Sequence, residues 1–143
     1  MTPEILFGLA NATAGLGWLV LTAGAITKRS FLYQTLTGQV WPFGLCALYT
    51  LLIIFFWGKA EGGFDSLAHV QQLFQSPWLL VAGWVHYLAF DLFIGAWITT
   101  QVIARALPRL VLLALLPLTF LFGPIGLLGY FVCHLAFDRT LAA

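Results

Sequence analysis

Charge is what this sequence has least of. Only 6 of its 143 residues are Lys or Arg and 5 are Asp or Glu, about 8% against roughly a quarter in a soluble domain. With 62% hydrophobic residues there is too little polar surface to keep the chain in water, so it reads as an integral membrane protein. A net charge of +1 without a basic run excludes a nucleic-acid interface, which needs a positive field. The only lysines, Lys28 and Lys59, flank apolar stretches instead of lying in them, which argues against a covalent retinal Schiff base. The serines, Ser30, Ser66 and Ser76, all fall in connections, so no nucleophilic triad can be assembled inside the membrane. Cys46 and Cys133 sit in hydrophobic stretches and read as small packing residues. His86, Asp91 and His134 lack the spacing of a zinc or di-iron site, and no metal or other cofactor is expected.

A basic leader is also missing. Glu4 stands where a cleavable signal would carry Lys or Arg, so the first apolar stretch is expected to remain in place. No Arg- and Ser-rich transit segment precedes it, which points to a bacterial inner membrane.

Four apolar segments are present, at about 5–27, 41–57, 78–100 and 110–137. At roughly 20 residues per crossing they predict an all-α membrane protein, one domain over 1–143, with four transmembrane helices in a compact bundle. Residues 30–40 read as a polar-aromatic connection. In the hydrophilic stretch 58–77, Leu67, Val70, Leu73 and Phe74 recur at helical spacing, which predicts a short interfacial helix between the second and third spans. The first span is rich in glycine and alanine, a pattern that permits close helix packing or a homo-oligomer. Pro117 and Pro124 predict kinks in the fourth span. Lys28, Arg29, Arg105 and Arg109 would lie on one side of four spans and Lys59 and Arg139 on the other, placing both termini in the periplasm.

The third segment carries Asp91 near its middle. An aspartate there costs roughly 2.5 to 3.5 kcal/mol on insertion scales, so it faces the bundle interior and has a reason to be kept. At helical spacing Trp84, Tyr87, Asp91, Gly95 and Ile98 share one face, while His86, Phe90, Phe93 and Trp97 share another about 140° round. Asp91 is the candidate general acid and His86 the candidate base. The bland alternative is a structural hub, with Asp91 hydrogen-bonded to Asn11, Tyr49 or carbonyls freed by the prolines.

The run Gly83-Trp-Val-His-Tyr-Leu-Ala-Phe-Asp-Leu-Phe-Ile-Gly-Ala-Trp97, with Phe120-Leu-Phe-Gly-Pro-Ile-Gly-Leu-Leu128, resembles the abscisic-acid-deficient-4-like family of small membrane proteins. Asn11, Trp18 and Tyr49 extend the likeness over most of the chain. Plant members are linked to neoxanthin formation from violaxanthin, so the resemblance implies a polyene partner entering from the bilayer. In a bacterial relative the nearest chemistry is isomerisation of a carotenoid or of an apocarotenoid such as retinal, by buried acid/base catalysis or by light absorbed by the ligand. The alternative is a non-catalytic carotenoid-binding or assembly protein. Trp84, Tyr87, Phe90 and Trp97 would shape the pocket, with Asn11, Tyr49 and Pro124 contributing. The four spans show no inverted repeat of the transporter kind.

Overall fold

The computed structural model describes the backbone of residues 1–141 and the side chains through residue 137. Among these residues the only regular structure is helix, the form in which an isolated segment pairs its own N–H and C=O groups in a medium without water. Three helices are long and apolar enough to cross a membrane.

Helix α1 spans Pro3–Thr27. The Thr2 hydroxyl accepts from the N–H of Ile5 at 3.4 Å and proline occupies the first turn, where no N–H is needed. Lys28 ends the helix in the left-handed conformation, φ 62°, its N–H returning to the Gly24 carbonyl. The chain reverses there and winds at once into a π-helix, Phe31–Val40, continuous with α2, Trp41–Phe56. Residues 30–40 are therefore not a loop, and the second long helix covers Phe31–Lys59. Thr37 is fully buried there, and its hydroxyl donates to the Leu32 carbonyl at 2.9 Å, while Gln34 and Gln39 stay exposed.

A short helix α3, Leu67–Leu73, follows within the hydrophilic stretch, capped by the Ser66 hydroxyl. Helix α4 spans Pro77–Ala104, 28 residues, or about 42 Å at 1.5 Å per residue. It runs parallel to α1, with Asn11 opposite Trp84 and Trp18 opposite Gly95. It runs antiparallel to the second long helix, with Phe56 stacked on Trp78 and Tyr49 against His86.

The fourth segment departs from the expected single span. It consists of α5, Leu110–Phe122, and α6, Pro124–Leu141, folded back on one another at Gly123. A Cβ on Gly129 would lie 3.0 Å from the Leu115 side chain, although residues fourteen apart on a continuous helix stand about 21 Å from each other. The cause is local. Pro124 cannot donate to the carbonyl four residues back, and Gly123 takes φ 31°, ψ −80°, a combination open to a residue without a Cβ. Both arms run from the middle of α4 toward its Ala104 end, where Trp97 meets Tyr130 edge-on at 5.1 Å.

Two hydrophobic cores result. Leu6, Ala10, Leu45, Val81 and Val85 fill the half made by three helices. Trp18, Leu21, Leu92, Ile98, Leu115 and Tyr130 fill the half that the hairpin completes.

Candidate functional site

Asp91 lies fourteen residues into the 28 of α4, at the level of the hairpin tip. It is 5% exposed, and its Oδ2 has no hydrogen-bond partner among the described residues. A Cβ on Gly123 would stand 3.0 Å from the Asp91 carboxyl carbon and closer still to Oδ1. The acid and the turn therefore share one small volume.

One turn earlier on the same face, the Tyr87 hydroxyl donates to the carbonyls of Leu121 at 3.0 Å and Phe120 at 3.3 Å. The last carbonyls of any helix lack an internal donor, and here proline removes one more. Tyr87 supplies the donor that the break takes away. It thereby ties the hairpin tip to α4.

Beside the tip, α1 and α5 diverge to form an apolar groove of about 750 Å³. Gly15, Trp18 and Phe120 line it near the hairpin tip, and Ile26, Pro108 and Arg109 at its other end. From Gly15 to Ile26 it extends roughly 16 Å along α1 at 1.5 Å per residue. Trp18 and Phe120 meet at 5.5 Å, nearly edge to face. Behind them stand Gly95, over which the Trp18 ring lies so closely that a Cβ would come within 2.8 Å of ring carbon Cζ3, and Gly123. Gly95 is one turn beyond Asp91. Trp18 thus packs one turn from the acid on α4.

The remaining candidates from the sequence are scattered around this centre. His86 faces outward, stacked on Phe90 at 4.6 Å and edge-on to Tyr49 at 5.4 Å; it does not meet Asp91. Phe90 is exposed on the same outer face. Asn11 accepts from the Trp84 indole N–H at 3.0 Å and donates to the Phe7 carbonyl at 2.8 Å, joining α1 to α4. Trp84 also lines a smaller pocket of about 340 Å³ with Pro3, Phe7 and Pro77, at the opposite end from Arg109. Trp97 packs on Tyr130 and Phe131, and Pro124 opens α6. Among the described residues no three His, Cys, Asp or Glu side chains gather as a metal site would require.

The family model for ABA DEFICIENT 4-like proteins matches residues 5–130, which takes in the long helices, Asp91 and the hairpin tip. The chain belongs to that family. No curated protein and no solved structure shows significant similarity to it.

In this ABA DEFICIENT 4-like chain the residues that build the groove were not singled out from the sequence as a pocket. Trp18 and Phe120 stood in the stretches that carry the family likeness, yet nothing in their spacing shows that they meet. Gly123 was visible only as half of a Gly-Pro pair, a signal for a break in the helix and silent on its angle.

Proposed function

We propose that this protein serves carotenoid metabolism by holding a carotenoid or apocarotenoid polyene in the α1–α5 groove, with Asp91 as the acid that acts on it. Family membership supports the metabolic assignment. The observation that carries the chemistry is the Asp91 carboxyl, 5% exposed in mid-helix with Oδ2 unpartnered, one turn from the Gly95 on which the groove residue Trp18 packs. A membrane protein keeps such a group at a cost of a few kcal/mol, as expected of a functional residue.

The reaction is isomerisation. Protonated Asp91 gives its proton to the conjugated chain, one double bond becomes a single bond of the resulting cation, rotation follows, and the proton returns to the carboxylate. Nothing is oxidised or reduced. Trp18 and Phe120 shield the cation from lipid and water, and an indole face stabilises positive charge. For this transfer the polyene must pass the Trp18 and Phe120 rings, since Asp91 does not itself line the groove. His86, facing the opposite side, has no part in it. Illumination of the bound polyene is the alternative trigger for the same rotation, and it needs no acid.

The test is turnover of a polyene by reconstituted protein, followed as isomer ratios by chromatography in darkness and in light. Loss of the dark reaction in a folded Asp91→Asn variant is the expected result. Full activity of that variant in the dark removes Asp91 from the mechanism. The second reading, a binding or assembly protein without catalysis, draws on Asp91 being buried against Gly123; it predicts a polyene that co-purifies and is returned unchanged.

A further inference from the structure

The fold-back at Gly123 changes which residues share an end of the molecule. With three long helices and a hairpin that returns toward the end it came from, the Phe137 end of α6 lies with the α1–π-helix turn and the α4–α5 turn. The α2–α4 connection and the Pro3 end of α1 lie opposite. Five of the six Lys and Arg residues then belong to one end: Lys28, Arg29, Arg105 and Arg109 in the two turns, and Arg139 on the last stretch of α6. Lys59 alone belongs to the other. A fourth crossing would have divided the same six residues four to two.

We infer that the chain crosses its membrane three times, with the hairpin entering and leaving from the cytoplasmic face and the five-cation end resting on the anionic headgroups of that leaflet. Short loops rich in Lys and Arg stay on the cytoplasmic side, and the negative surface potential of that leaflet attracts them. The hairpin satisfies what such a half-crossing requires. Each arm pairs its own backbone, and the carbonyls exposed at the tip are met by Tyr87 instead of lipid. α5 has 13 residues, about 20 Å against a hydrocarbon layer of about 30 Å, so its tip ends within the bilayer.

The orientation also fixes access to the groove, a consequence that rests on the function proposed above. Arg109 and Pro108 line it at the five-cation end and Trp18 and Phe120 at the hairpin tip, so a ligand reaches it from the cytoplasmic leaflet.

Two measurements in a bacterial inner membrane decide the matter independently of any ligand. One is a reporter fused after residue 143, either a fluorescent protein that matures only in the cytoplasm or alkaline phosphatase, active only outside. The other is labelling of Leu67→Cys, a position 77% exposed, in intact cells by a membrane-impermeant maleimide, with the parent chain correcting for Cys46 and Cys133. The expected result is a fluorescent, phosphatase-negative C-terminal fusion and a labelled Cys at 67. Both sites on one face would mean a fourth crossing and overturn the half-crossing; opposite faces in the reverse sense would overturn the orientation. Either failure leaves polyene turnover to be judged by its own assay, and loss of turnover leaves the topology untouched.

Discussion

The Asp91 carboxyl and Gly123 occupy adjoining space so tightly that a methyl group on the glycine would overlap the acid. One residue is the only carboxyl in the interior of the three long helices; the other is where the chain reverses between α5 and α6. Acid and turn are thus one construction. Gly123→Ala should lower stability by about 1 to 3 kcal/mol, from overpacking and from a φ of 31° that alanine tolerates poorly. Denaturation of the purified protein in detergent measures it, and an unchanged midpoint would mean that the tip relaxes without cost.

Tyr87→Phe keeps the ring and removes one hydroxyl. Two carbonyls at the break then lose their donor in a medium that cannot replace it, and a loss of about 1 to 3 kcal/mol follows. The same unfolding assay gives the number. Protease sensitivity around the tip should rise with it, whereas Tyr49→Phe, on the outer face beside His86, serves as the reference.

Asp91→Asn separates function from architecture. If Asp91 is kept for chemistry, the amide should leave stability nearly the same, because Oδ2 makes no hydrogen bond that the amide would lose and the amide oxygen can still meet the Tyr87 hydroxyl. The dark isomerisation should meanwhile fall by roughly 10² to 10⁴-fold, the usual contribution of a positioned proton donor. A variant that instead unfolds, with residual folded protein fully active, would make Asp91 a structural residue.

Gly15→Phe tests the groove. A Cβ there meets no atom within 4 Å, so the ring can be added without disturbing the helices and projects into the space a polyene would use. Polyene binding, followed by quenching of tryptophan fluorescence, should be lost at unchanged stability. Gly44→Phe, also in open space, supplies the control. Equal binding by both variants would move the ligand elsewhere.

His86→Leu should leave isomerisation unaffected, since the imidazole lies on the outer face with Phe90 and Tyr49. A loss of turnover measured by the same chromatography would mean that the reacting face of α4 has been placed on the wrong side.

The sequence by itself determined the membrane class, the all-helical fold and which face of α4 carries Asp91. Lack of charge leaves the chain no other solvent, and the 3.6-residue period puts Asp91, Gly95 and Ile98 on one buried face with His86, Phe90 and Phe93 exposed on the other. What only the tertiary structure decided was how the fourth segment runs and where the groove opens. A Gly-Pro pair announces a break, but a shallow kink and a full reversal keep the same local hydrogen-bond losses. The choice between them came from distant partners: the Tyr87 hydroxyl for the freed carbonyls, Trp97 for Tyr130, and a glycine small enough to lie against Asp91.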